Sequence, residues 1–218
     1  MSTGTWDVDD EEGFGILNGT VKDVPKLKAP GFIAAYAKGY FNDASMALHG
    51  DLVLKVRSST PDYEGFRVSF SPKSLSAEYS CAGGGSIPFT NKCFKAHFMV
   101  PSSNDFVEIR IPFSSFSDHW NPATGEQYIT CSQDHPEVCP KEKDLEHIRW
   151  VEIWSEGAGG DVHLEVQSIS ANLNIPQGSS NIEPTITDIP LVTFDGEPAT
   201  TFKFRQYNDP VMVRKLSQ

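Results

Sequence analysis

Carboxylates are the most numerous reactive side chains in this sequence, 29 Asp and Glu among 218 residues. Two of them flanking a scissile bond is the arrangement that glycoside hydrolysis requires. Asp62, Glu64, Asp105, Glu108, Glu152 and Glu165 are the candidates. Nothing in their spacing fixes a separation between two carboxyl groups, and a chain this acidic supplies such residues without a catalytic reason. His49, His97, His119, His135, His147 and His163 form neither HExxH nor another metal-ligand spacing, so they read as scattered surface histidines, with no metal and no cofactor expected. No serine sits in a GxSxG turn, and no phosphate-cradling lysine accompanies Gly83-Gly84-Gly85. The expectation is a chain that is not an enzyme.

Cys81, Cys93, Cys131 and Cys139 lie in stretches punctuated by Gly, Pro or Asn and lack the CxxC spacing of a zinc or redox site. Spacing alone leaves disulfides and free thiols both open. The turn-like Ser-Gln-Asp-His-Pro segment predicts a bond between Cys131 and Cys139, since so short a loop brings the two Cα atoms within reach. Disulfides, if formed, point to an oxidising compartment. The acidic run Asp7 to Glu12 reads as solvated, and no loop spacing there suits calcium. Asn18-Gly19-Thr20 matches a glycosylation sequon, but Asn-Gly is also turn chemistry, and a turn is the preferred reading.

The elements that must position these groups are strands. In Leu52-Val53-Leu54-Lys55-Val56-Arg57 the apolar Leu52, Leu54 and Val56 share one face, which is the period of a half-buried strand. The same alternation runs through 65–70, 106–111, 149–154 and 161–167, with Pro and Gly clusters between. A helical signal is confined to 141–147, one or two turns at most. This pattern predicts an all-β sandwich of jelly-roll type in one domain. The strands' second faces carry Arg57, Arg67, Trp150, Glu152, Trp154 and His163, together with Lys55, Ser69 and Glu165. On one shared sheet they would make a surface on which indoles pack against a sugar ring while charged groups bond its hydroxyls. The alternative is a solvated face of cross-strand salt bridges, or indoles covered by the chain's own tail. His119-Trp120-Asn121-Pro122 lies in a long loop, where Trp120 is either a recognition tip or, as preferred, a pin to the body.

Four phrases in order carry a resemblance: Lys28-Ala29-Pro30-Gly31-Phe32-Ile33, Arg57-Ser58-Ser59-Thr60-Pro61-Asp62-Tyr63-Glu64-Gly65-Phe66, Glu108-Ile109-Arg110-Ile111-Pro112-Phe113-Ser114-Ser115-Phe116 and Val162-His163-Leu164-Glu165-Val166-Gln167-Ser168-Ile169. Together they resemble the complex I intermediate-associated protein 30 family, whose domain is a galactose-binding-like jelly roll. The resemblance implies a chaperone-like scaffold whose partner is a protein client, complex I subunits or another membrane complex under assembly. It also implies an organellar setting, mitochondrion or plastid, although the N-terminal stretch shows no targeting segment. A glycan-binding module on the same fold is the alternative.

The family's opening strand and Asn-Asp-Pro-Val-Met loop resemble Phe194-Asp195-Gly196 and Asn208, Asp209, Pro210, Val211 and Met212, which stand at the C-terminal end here. Either the chain is circularly permuted or it is cut from a tandem array. The division expected is a body over 1–173, a Pro-, Ser- and Asn-rich linker over 174–190, and a tail over 191–218 that docks on the body. Eighteen Lys and Arg against 29 acids give a net charge of −11, which opposes a phosphate-backbone partner, so no nucleic acid is expected. No apolar run is long enough for direct membrane insertion.

Overall fold

The computed structural model describes residues 1–25, 29–72, 92–121, 124–173, 188–194 and 201–207. Along the chain β1 (Thr3–Asp9) turns back into β2 (Phe14–Val21), and the short β3 (Asp23–Val24) and β4 (Ala29–Pro30) pair with each other. Then follow β5 (Phe32–Lys38), β6 (Asp51–Ser58), β7 (Phe66–Ser71), β8 (Phe94–His97) and β9 (Val107–Pro112). A five-residue helix α1 (Glu142–Glu146) precedes β10 (Trp150–Glu156), β11 (Gly160–Asn172), β12 (Asp188–Thr193) and β13 (Phe202–Tyr207).

The protein is an all-β sandwich of antiparallel sheets. One sheet runs β1-β2-β11-β6-β9, with β12 also paired to β11; the other runs β13-β5-β10-β7-β8. Leu52, Leu54 and Val56 point inward from β6, as their period requires, and meet Val68 and Phe70 from β7 and Val151 and Ile153 from β10 in one apolar core. Phe70 is the hub of an aromatic group, with Phe94, Phe113 and Phe116 at ring distances of 5.2–5.8 Å. β11 keeps its apolar side chains inward over thirteen residues only because its pairing with β6 shifts register at Val166/Ser168. Val162, Leu164 and Val166 are buried before that bulge, and Ile169 and Ala171 after it.

β2 covers β11 over Gly160–Val166, and β12 covers the same edge over Ser168–Asn172. The later segment thus continues the place of the earlier one in the sheet. Trp6, Phe194 and Phe202 meet at this corner, with Trp6 stacked on Phe202 at 4.8 Å. Gly15 leaves room for them, because a Cβ there would overlap the Trp6 indole and the Phe194 ring.

One local expectation is corrected. Asn18-Gly19 is not a turn; it lies inside β2, opposite Thr5 and Gly4 on one side and His163 and Val162 on the other. Strands on both edges satisfy its backbone, and Gly19 is needed because a Cβ there would run into the Thr3 carbonyl and Gly4 Cα of β1 as well as the Ile33 side chain of the opposite sheet. The acidic run is largely exposed, as expected, but Asp7 and Asp9 belong to β1 and the hairpin turn follows them. There Asp9 Oδ1 accepts from the amides of Glu11 and Glu12 at 3.1 and 2.9 Å, and Gly13 supplies the positive φ of 71°.

Cys131 and Cys139 form a disulfide with Cα atoms 4.8 Å apart. Cys93 is buried beside the second sheet, while Cys81 lies outside the described residues. So do Lys28, most of the expected linker, and Asn208, Asp209, Pro210 and Met212. A bond closing so short a loop stabilises by about 2–3 kcal/mol in the chain-entropy account. Replacing both Cys131 and Cys139 by serine should therefore lower the melting temperature by roughly 4–12 °C at about 2–4 °C per kcal/mol for a chain this long. An unchanged melting temperature would show that the loop is held without the bond.

Candidate functional site

The candidate ligand face does not exist as one surface. Arg57 on β6 and His163 on β11 lie on the outer face of the first sheet, whereas Arg67 on β7 and Trp150, Glu152 and Trp154 on β10 lie on the outer face of the second. The chain passes between sheets, with β6, β9 and β11 in one and β5, β7, β8 and β10 in the other. Residues of equal phase therefore end on opposite sides of the molecule.

On the first sheet the group is a salt-bridge network. Arg57 Nε donates to Glu165 Oε2 at 2.6 Å, and its guanidinium lies 4.7 Å from the Phe106 ring centre. His163 sits between Glu165 Oε1 at 3.0 Å and Asn18 Oδ1 at 3.2 Å.

On the second sheet alternation sets Trp150, Glu152, Trp154 and Glu156 on the outer side of β10, Arg67 and Ser69 on β7, Lys95 on β8, and Arg205 on β13. This outer face is covered, and both indoles are at most 1% exposed. Trp120 closes over it, donating from Nε1 to the Cys93 carbonyl at 3.1 Å, so the loop tryptophan is a pin. Lys95 Nζ lies 3.5 Å from the ring centre of Trp154 and 3.7 Å from that of Trp120, and pairs with Glu156 Oε1 at 2.5 Å. Lys95 is 0% exposed. Two aromatic faces and one carboxylate replace its lost hydration. Glu152, equally buried, accepts from Arg205 Nε at 2.6 Å and Trp150 Nε1 at 3.0 Å. Trp154 Nε1 donates to Ser69 Oγ at 2.8 Å. Arg67 donates from Nε to the Gly125 carbonyl at 3.1 Å and from Nη1 to the Glu156 carbonyl at 2.8 Å.

Burial pushes the Lys95 ammonium down to about 8, against the pull of Glu156. Burial also raises the Glu152 carboxyl, opposed by Arg205 and Trp150. Burial, with the charge of Glu156 second, raises the Tyr63 phenol, whose hydroxyl donates to the Ala158 carbonyl at 3.0 Å. Between pH 8 and the ordinary lysine value of 10.5 the unfolded chain holds more protons at residue 95 than the folded one. The Lys95 contribution to stability therefore rises with pH across that window. Glu152 works in the opposite sense at lower pH: its contribution is largest below 4.5, its ordinary value, and falls as pH climbs through the raised folded value. The stability of the native chain relative to a Lys95→Met/Glu156→Gln variant should rise from pH 8 to pH 9.5 in urea titrations, and a flat difference would assign Lys95 an ordinary ammonium.

Beside this cluster a cleft of about 650 Å³ opens at the β8 edge, lined in part by Glu64, Arg67, His97, Met99, Glu126 and Gln127. Gln127 Nε2 donates to the carbonyls of Lys95 and Ser115, both at 2.8 Å, which ties the turn over 124–127 to β8. Lys95, Glu156 and Arg205 escaped the sequence reading. Glu156 continues the alternation of Trp150, Glu152 and Trp154, and that phase was the signal; for Lys95, a four-residue strand is too short to show one. Among the described residues no group of three or more His, Cys, Asp or Glu could hold a metal ion. No family model matches this chain, and no curated protein matches it.

Proposed function

We propose that this chain is a non-catalytic protein-interaction module of the kind its resemblance to the complex I intermediate-associated protein 30 family implies. On this reading it is a chaperone-like scaffold on a galactose-binding-like jelly roll, working in an organelle. Its client is a protein subunit of a membrane complex under assembly, complex I among the candidates. The observation that supports this over the glycan reading is the state of Trp150 and Trp154. A sugar-binding face needs indoles that a pyranose ring can reach, and these two are covered and hydrogen-bonded within the fold. Arg57, another residue of the face expected for a glycan, is stacked and paired on the opposite sheet. The reading is tested by affinity purification of the tagged chain from organellar membranes followed by mass spectrometry, beside a glycan array. Recovery of the same membrane-complex subunits across replicates is the expected result. Saturable binding to a glycan, with no protein recovered above the untagged control, would overturn it in favour of the alternative.

A further inference from the structure

Among the buried and half-buried cations of the second sheet, Lys95 and Arg205 have ion-pair partners close by and Arg67 does not. Lys95 holds the Glu156 carboxylate and Arg205 holds that of Glu152. Arg67 is only 7% exposed, yet both hydrogen bonds it makes go to backbone carbonyls. Among the described residues no carboxylate lies within ion-pair distance of it, and its Nη2 has no hydrogen-bond partner. The Glu156 carboxylate flanks Gly125 together with the Arg67 stem but is held by Lys95, so Arg67 has no ion pair of its own, and a buried guanidinium in that state is costly. Arg67 lines the 650 Å³ cleft, and a Cβ on Gly157, another residue of the cleft wall, would lie 3.0 Å from Nη2. The absence of a side chain at Gly157 thus leaves that nitrogen room on the cleft side.

The rim carries the opposite sign. Glu64 and Glu126 are exposed lining residues, and neither carboxylate has an ion-pair partner among the described residues. The backbone of each is anchored: the Glu64 carbonyl meets His97 Nε2 at 2.8 Å, and the Glu126 carbonyl accepts from the Asn121 amide at 2.6 Å. The cleft therefore offers one desolvated cation inside and two carboxylates at its mouth, within a volume that suits a small molecule. A simple anion would meet the rim charges unfavourably, and a simple cation would meet Arg67. A molecule bearing both charges satisfies both ends.

We propose that this cleft binds a zwitterionic aminocarboxylate, with its carboxylate on the Nη2 edge of Arg67 and its ammonium between Glu64 and Glu126. The same chemistry is offered by a free amino acid and by a C-terminal lysine, and the site is independent of the protein client proposed above. Isothermal titration of the full chain with glycine, 4-aminobutanoate and 6-aminohexanoate, at constant ionic strength, is the direct test. Acetate and butylamine are the single-charge controls, and the tripeptide Ala-Ala-Lys with a free or amidated C-terminus separates the two sources. At least one aminocarboxylate should bind with a dissociation constant of about 1 mM or below, and at least about tenfold more tightly than acetate or butylamine. Arg67→Gln should abolish binding. Because Arg67 also braces two carbonyls and its loss could unfold the chain, Glu64→Gln/Glu126→Gln at the exposed rim is the second variant. It should weaken the aminocarboxylate about three- to tenfold, leave acetate unchanged or stronger, and leave the melting temperature in place. Preference for Ala-Ala-Lys over the free aminocarboxylates, lost on amidation, would identify a chain terminus as the source. No saturable binding by any aminocarboxylate, equal binding of acetate, or indifference to the rim variant would overturn the proposal.

Discussion

A chain lacking residues 186–218 should fail to give a stable monomer. That deletion removes β12 and β13, and with them Leu191, Val192, Phe194 and Phe202, all buried in the main core. Truncating one buried Phe to Ala costs about 3–5 kcal/mol, and a whole domain is stable by only about 5–15 kcal/mol. Losing two phenylalanines and two aliphatic residues together exceeds that margin. The loss spreads beyond the missing segment: Trp6 would lose both of its ring partners, β11 would lose its neighbour over Ser168–Asn172, and β5 would become an edge with unpaired backbone groups. Glu152 would also lose the Arg205 guanidinium while remaining under Trp150. Size-exclusion chromatography should show aggregates or a melting transition lowered far below that of the full chain. In the full chain, Phe194→Ala alone should cost about 3–5 kcal/mol in urea titrations. A truncated protein that stays monomeric with an unchanged melting temperature would show that these strands contribute nothing to the fold.

Lys95→Met should be nearly as damaging as a core truncation, although it makes the site more apolar. The substitution leaves the Glu156 carboxylate, 3% exposed, without the ammonium that compensates it. Breaking a buried pair from one side costs about 3–5 kcal/mol, which for a chain of this length lowers the melting temperature by roughly 6–20 °C. Methionine fills the space between Trp120 and Trp154, so the loss is electrostatic rather than a cavity. Adding Glu156→Gln should restore a large part of the stability, since the charge left behind is then removed as well. The recovery should be incomplete, because the contact of a cation with two indoles is gone. The double-mutant cycle separates the two contributions. A single Lys95→Met variant that costs less than about 1 kcal/mol would place Lys95 with exposed lysines, whose ion pairs contribute little.

The amino-acid order by itself determined what is local here. Alternation at Leu52, Leu54 and Val56 marked an inward face because side chains of a strand alternate whatever the strand pairs with. The all-β class followed from repeating that pattern between Pro and Gly clusters. The Cys131–Cys139 bond was legible for the same reason, since eight residues of separation confine the two ends. Distance along the chain limited everything else. Arg57 and Arg67 are ten positions apart in neighbouring strands of similar phase, yet they face opposite sides of the sandwich, because β6 pairs with β9 and β11 while β7 pairs with β8 and β10. Sheet membership is a matter of which distant edges are free, and no local period records it. Gly19 read as turn chemistry until the β1 backbone at Thr3 and Gly4, with Ile33 from the other sheet, explained the missing side chain. The Lys95–Glu156 pair spans 61 residues and is held between indoles from 120 and 154. Only tertiary structure could decide that a lysine belonged there, because its desolvation is tolerable solely when two distant segments, β10 with Trp154 and Glu156 and the loop with Trp120, deliver a carboxylate and two aromatic faces to one point.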